Sequence, residues 1–221
     1  MVTHEIAGQT LWLPPERAVF LPESDTLVVA DADLGEAPGG QAPGVVPPGG
    51  VPDDALTVLS RLVRRLEVQR IIFLGDVLHS MRALAPETRA AVTRWRERHS
   101  ALELTLVRGQ QAGRAADPLV TLDIQPFDAP LMHRGLALCH EPRPVDGAFA
   151  LAGHVHPCVS VGGRAHDWHR LPCFWFSPRV GVLPAFGSFT GMQTIRVAAG
   201  ERVFAATAER VIELQPRPKR R

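Results

Sequence analysis

Thr26-Leu27-Val28-Val29-Ala30-Asp31-Ala32-Asp33 decides the fold. Leu27–Ala30 is a short unbroken apolar run, which reads as a strand covered on both faces. It stops at an aspartate pair. The pattern then recurs: Ile71-Ile72-Phe73-Leu74 closes in Gly75-Asp76, and Leu102–Val107 closes in Arg108-Gly109-Gln110-Gln111. Between the runs lie two segments of helical character. Asp53–Leu66 puts Leu56, Leu59, Leu62, Val63 and Leu66 at helical spacing, with Pro52 and Asp53 as a start signal. Glu87–His99 is the second, with Pro86 near its start. The order is β-α-β-α-β with a polar residue after each strand. That predicts an α/β sheet with a site along its carboxyl edge, where open α/β sheets place their ligands.

Upstream, Ala18–Leu21 reads as one more strand, joined to Thr26 by the turn residues Pro22-Glu23-Ser24-Asp25. Ala37–Pro52 is Gly- and Pro-rich and reads as a long loop. Beyond Gln111 the helical signal fades. Leu119–Ile124, Leu136–His140, Ala148–His154, Cys158–Val161, Cys173–Phe176, Val180–Pro184, Thr194–Val197 and Val211–Leu214 read as short strands. No linker or fixed-period repeat divides the chain. The expectation is a single domain over 1–214 and a disordered, basic, Pro-rich tail over 215–221.

The formal net charge of +1 argues against steering by global charge, so any contact with nucleic acid needs a local patch. Three cysteines at irregular spacing make no disulfide framework and fit a reducing cytoplasm. Met1–Thr10 lacks a basic segment followed by an apolar run, so no signal peptide is expected. No apolar stretch reaches the ~20 residues of a spanning helix, so no membrane partner is expected either.

The candidate site residues fall at strand ends. In Gly153-His154-Val155-His156 the two imidazoles would share a face if the segment were extended. Such a pair suits metal binding, and it also occurs as a surface accident. Asp31 and Asp33 fit a turn or helix cap as well as a metal-facing carboxylate cluster. Asp76 and His140 also follow apolar runs.

Together these blocks resemble the calcineurin-like metallophosphoesterase superfamily. Its members carry Asp-x-His, Gly-Asp, Gly-Asn-His-Asp or Glu, a lone His, and Gly-His-x-His. Here they stand as Asp31-Ala32-Asp33, Gly75-Asp76, Gly109-Gln110-Gln111-Ala112, His140 and Gly153-His154-Val155-His156. Ala30–Gly35, Leu74–Ser80, Leu138–Pro142, Ala152–Pro157, Leu171–Phe176 and Leu183–Gly191 are similar to the ligase-associated DNA damage response endonucleases, bacterial metallophosphoesterases named for an association with a DNA ligase. Leu183-Pro184-Ala185-Phe186-Gly187-Ser188-Phe189-Thr190-Gly191 is the most distinctive stretch and lies outside the metal motifs. The resemblance implies an α/β sandwich of two mostly β sheets flanked by helices. It also implies a phosphoesterase of phosphodiesterase or endonuclease type. Two divalent metals, manganese first and magnesium, iron or zinc as alternatives, would activate water. Asp31, position 33 and His156 would hold the first metal. His140, His154 and position 110 would hold the second, and Asp76 would bridge. The partners implied are a phosphate ester substrate, with DNA as one form, and a DNA ligase or helicase in a repair setting.

The chain departs from the family pattern at named positions. Asp33 stands where the family has His, which makes the first metal set harder and more anionic. Gln110 replaces Asn, and Gln111 replaces the His expected to serve as general acid, a role worth ~10²–10⁴-fold. Glu36 stands where the family tends to have Lys. The expectation is a weakened hydrolase, with a non-catalytic repair partner and a small-molecule phosphatase as alternatives. His79, Arg108, His166 and His169 are secondary candidates for supporting roles.

Overall fold

The computed structural model describes residues 1–34, 55–77, 86–109, 122–162, 168–187 and 191–215. The chain opens with strands β1 (Val2–Ile6), β2 (Gln9–Leu13), β3 (Val19–Leu21) and β4 (Thr26–Ala30). Helix α1 (Ala55–Leu66), β5 (Arg70–Leu74), helix α2 (Pro86–Arg98), β6 (Glu103–Arg108) and β7 (Ile124–Asp128) follow. Among the described residues these strands form one seven-stranded sheet in sequence order. Its β1–β4 part is an antiparallel meander, and β4 to β7 run parallel.

The unbroken apolar runs have a direct structural cause. On β4, Leu27 and Val29 face α1 and α2, while Val28 and Ala30 face a second sheet. On β5, Ile71 and Phe73 face the helices, while Ile72 and Leu74 face the sheet. With side chains alternating every second residue, a strand packed on both faces needs an apolar residue at every position. The helices close the outer layer with Leu56, Leu59, Leu62, Val92 and Trp95.

The second sheet holds β8 (Leu131–His133), β9 (Leu136–Leu138), β10 (Phe149–Ala152), β11 (Pro157–Gly162), β12 (Trp168–Phe176), β13 (Val180–Val182), β14 (Gln193–Thr194), β15 (Arg202–Ala206) and β16 (Val211–Leu214). Its main path is β14-β11-β12-β13-β10-β9-β8, with β15 on β12 and β16 on β15. Strands β9, β10 and β13 are mutually parallel. The result is an α/β sandwich of two mixed sheets flanked by few helices, as the sequence implied. Among the described residues no helix is long and apolar enough to cross a membrane.

Several boundaries differ from the sequence reading. Of the segment expected as Leu119–Ile124, residues 119–121 lie outside the described residues; Leu122 and Asp123 turn, Asp123 with φ +52°, and the strand observed is Ile124–Asp128. Pro126 hid this strand. It is tolerated because β7 is an edge strand, where one face of the ladder needs no N–H. Strands β1, β2, β8 and β15 are not marked by the sequence pattern. The β1–β2 hairpin turns at Ala7-Gly8, both at positive φ; β1 interleaves polar residues, and β2 carries only the short apolar run Leu11-Trp12-Leu13. The strand expected over Thr194–Val197 shrinks to Gln193–Thr194. The loop read over Ala37–Pro52 and the tail after Gln215 lie outside the described residues.

One buried titratable group belongs to the packing alone. His4 on β1 is 4% exposed, between Phe176 and Phe204, and its Nδ1 lies 2.8 Å from Arg202 Nη1. Burial first, then the Arg202 charge, pushes the His4 pKa down to about 4, against a weaker opposing pull from Glu213. Between pH 6.5 and 4 the unfolded chain binds a proton that the native imidazole excludes. Stability therefore rises with pH across this window and is lost as pH falls through it. The His4 share is on the order of 3 kcal/mol at ~1.4 kcal/mol per unit. Denaturant midpoints at pH 7 and pH 4.5 test this: His4→Gln should flatten the difference, and equal pH slopes in both proteins would contradict it.

Candidate functional site

Both sheets deliver carboxyl ends to one place. Asp31 follows β4, Gly75 and Asp76 follow β5, and Gly109 follows β6. From the second sheet, His140 lies just beyond β9, Gly153–His156 follow β10, and Leu183–Gly187 follow β13. Main-chain bonds lock these exits together. Asp31 N–H donates to Leu74 O (3.1 Å), Gly75 N–H to Val107 O (3.0 Å) and Gly153 N–H to His140 O (2.9 Å). The two sheets are stitched by Phe186 N–H to Ala30 O (2.8 Å) and Gly187 N–H to Asp31 O (3.2 Å).

At the centre is the Asp31 carboxylate, 3% exposed. His140 Nε2 lies 3.0 Å from Oδ1. His156 Nε2 lies 3.3 Å from Oδ2, and the His154 main-chain N–H donates to the same oxygen at 2.7 Å. Burial opposes ionisation of Asp31, but the bonds from His140, His156 and His154 N–H outweigh it and hold the carboxyl well below its usual range. For His140, burial disfavours the charge, yet the Asp31 bond and the fields of Asp31, Glu141 and Asp76 raise its pKa. His156 is raised first by its bond to Asp31, against burial, with help from the Gly191 carbonyl 3.1 Å from Nδ1 and from Asp33. The His154 ring stands edge-on to His140, centroids 4.8 Å apart.

The backbone at this place is unusual. Asp31 (φ +45°), Asp33 (+43°), His154 (+69°) and His156 (+50°) all sit in the left-handed region. Each such residue costs roughly 1–2 kcal/mol, less for Asp, and strain of this kind concentrates at functional sites. The extended geometry expected for His154 and His156 is therefore corrected: β10 ends at Ala152, and both histidines lie on a turn.

Glycines make the close approach possible. A Cβ on Gly75 would lie 2.1 Å from His140 Cδ2 and 2.8 Å from Asp31 Oδ1. On Gly109 it would lie 2.3 Å from His140 Nδ1, and on Gly153 2.7 Å from Asp31 Oδ2. These contacts, the Gly191 carbonyl, Glu141 and Arg17 are parts of the site that the sequence reading did not single out. Bare glycine spacing marked turns, but nothing in it said which side chain each would receive.

Of the expected metal-ligating positions, Asp31, His140 and His156 are brought into direct side-chain contact, and His154 reaches Asp31 through its main chain. Asp33 is buried and Asp76 exposed, and the Asp33 N–H donates to the Asp76 carbonyl at 3.4 Å. Among the described residues no group of three His, Cys, Asp or Glu side chains is set around a common point as a metal cage. Donor atoms face one another in pairs instead. Gln110, Gln111, Glu36, His79 and His166 lie outside the described residues. His169 is on β12 and exposed.

The α/β sandwich and the strand-end cluster define a metallophosphoesterase-like fold. No protein-family model matches the chain, and no curated protein matches it. A solved structure does: the crystal structure of Pseudomonas putida nuclease MPE is 40% identical, with a TM-score of 0.79, over 96% of this chain and 99% of that one. The chain belongs to the same family as that nuclease.

Proposed function

We propose that the chain is a divalent-metal-dependent nuclease or phosphodiesterase working at Asp31. The observation that carries this reading is the buried Asp31 carboxylate bracketed by His140 and His156, in a chain 40% identical to a nuclease. The residues suit a pair of first-row divalent ions. Carboxylates and imidazoles are the donors such ions take. Among the described residues His140 Nδ1 is buried without a hydrogen-bond partner, and Glu141 Oε1 lies 3.7 Å from it. Gly75, Gly109 and Gly153 let the Asp31 and His140 side chains pack directly against the backbone. Asp31, Asp33 and His156 would hold one ion, and His140, His154 and Gln110 the other, with Asp76 between them. Manganese is the proposed metal, because three carboxylates make a hard donor set.

When bound, such ions supply a low-pKa water and neutralise phosphate charge. The protein's own contribution is to fix Asp31 as a carboxylate at neutral pH and to orient both imidazoles on it. Gln111 leaves the leaving group without the histidine acid of related enzymes, so turnover is weakened and good leaving groups are favoured. The family resemblance extends the proposal to DNA repair in the cytoplasm beside a ligase or helicase. A non-catalytic relative is the competing reading, and Gln110-Gln111 is what favours it.

Purified protein incubated with a DNA oligonucleotide and with an aryl phosphodiester, with manganese and with chelator, decides between them. Cleavage that requires manganese is the expected result. No hydrolysis of either substrate under any divalent metal would refute the enzyme reading.

A further inference from the structure

Arg17 is the unusual cation of the described structure. It lies in the turn between β2 and β3, at φ +63°, a conformation uncommon for a bulky residue. The residue is half-buried, and burial pushes the guanidinium below its ordinary value, though an arginine stays charged at neutral pH. Among the described residues it makes no ion pair. Its neighbour Glu16 is engaged by Arg65 at 2.8 Å. Its bond is Nη1 to the Gly187 carbonyl, 3.3 Å. Gly187 in turn donates to Asp31 O at 3.2 Å, and a Cβ on it would lie 3.3 Å from Asp33 Cβ. Arg17 and His156 line one cavity of about 240 Å³, together with Gly187 and Pro157. That is several times the ~30 Å³ share of a water molecule.

A second cavity, about 550 Å³ at the amino ends of β5 and β6, makes the contrast. Its arginines are neutralised, Arg70 by Glu103 at 2.7 Å and Arg96 by Asp123 at 3.2 Å. A guanidinium that meets no carboxylate among the described residues, beside the candidate site, offers donors beyond the one on Gly187 O that suit a phosphate.

We infer that Arg17 binds a phosphate of the substrate, seated in the cavity it shares with His156. This rests on the phosphoesterase reading and adds a substrate-binding residue to it. A purely structural role, clamping the Gly187 carbonyl, is the alternative that the test must separate.

Two variants do so. Arg17→Gln keeps an N–H donor for Gly187 O and loses the charge, and Arg17→Lys keeps the charge. Binding of inorganic phosphate is measured by calorimetry with manganese present, alongside melting temperature. The expected result is ~10- to 100-fold weaker phosphate binding for Arg17→Gln, the size of a lost charge-assisted bond, with Arg17→Lys nearer wild type. Equal affinities in all three proteins, or no phosphate binding by wild type, would overturn the inference.

A second measurement needs no variant. Phosphate should slow phenylglyoxal modification of Arg17 in wild type while leaving the exposed Arg65 unaffected, and unchanged modification of Arg17 would count against it. DNA cleavage on the same samples separates the two claims. Cleavage with unaltered phosphate binding in Arg17→Gln sinks Arg17 alone. Phosphate binding that needs Arg17 without DNA cleavage sinks the nuclease reading and leaves the anion site standing.

Discussion

Asp31→Asn is expected to lower manganese-dependent turnover by about 10³-fold, the upper end of what one well-placed electrostatic group supplies. Asn keeps the shape of the side chain and one carbonyl oxygen, so the packing of Ala30, Leu74 and Gly153 around it survives. What disappears is the charge that both His140 and His156 face. Stripping one partner from a buried ion pair costs ~3–5 kcal/mol when the other must stay charged. Here the imidazoles can shed their protons, so the stability loss should stay near ~1 kcal/mol. Steady-state kinetics and a denaturant melt on the same preparation check both halves. A variant that unfolds would make Asp31 a structural residue. One that melts normally and keeps full turnover would remove it from the site.

The second large effect is steric. Gly75→Ala places a methyl 2.1 Å from His140 Cδ2 and 2.3 Å from its Nε2, at φ +86°. No relaxation of Ala alone can relieve that, because the ring is pinned by Asp31 Oδ1 at 3.0 Å. The ring must leave its place, and with it one of the two imidazoles on Asp31. Turnover should fall by ~10²-fold, comparable to losing a positioned acid or base. Stability should fall by more than the ~1–2 kcal/mol that a left-handed non-glycine residue costs. Gly8→Ala is the internal control: it has φ +72° and nothing within 4 Å of the added methyl. It should show the backbone cost alone with activity intact. If the two variants behave alike, the packing of His140 on Gly75 contributes nothing.

How much of this was legible in the sequence follows from where periodicity carries information. β4 and β5 pack on both faces, so Leu27–Ala30 and Ile71–Leu74 announced themselves as apolar runs, and the carboxyl-edge site followed from their order. Helix α1 announced itself through Leu56, Leu59 and Leu62, all turned to one layer. Edge and hairpin strands carried no such run: β7 holds Pro126, and β1 alternates Val2, His4 and Ile6 with polar residues. The site residues were legible as types at strand ends. Their arrangement was not, because it depends on left-handed φ at His154 and His156 and on glycines whose partners come from distant segments. Leu183–Gly191 stood out by resemblance alone. The structure supplies the cause for part of it: Phe186 and Gly187 bond to Ala30 and Asp31 and join the two sheets at the site. Arg17 had no signal at all, since a single arginine in a Pro-Glu-Arg turn looks like any solvated charge.

The most direct test of the account is the manganese content of protein purified without chelators, measured by mass spectrometry, with DNA cleavage assayed on the same sample. About two ions per chain together with cleavage is the predicted result. Protein that takes up no divalent metal, even from added manganese, and cuts no phosphodiester would contradict it.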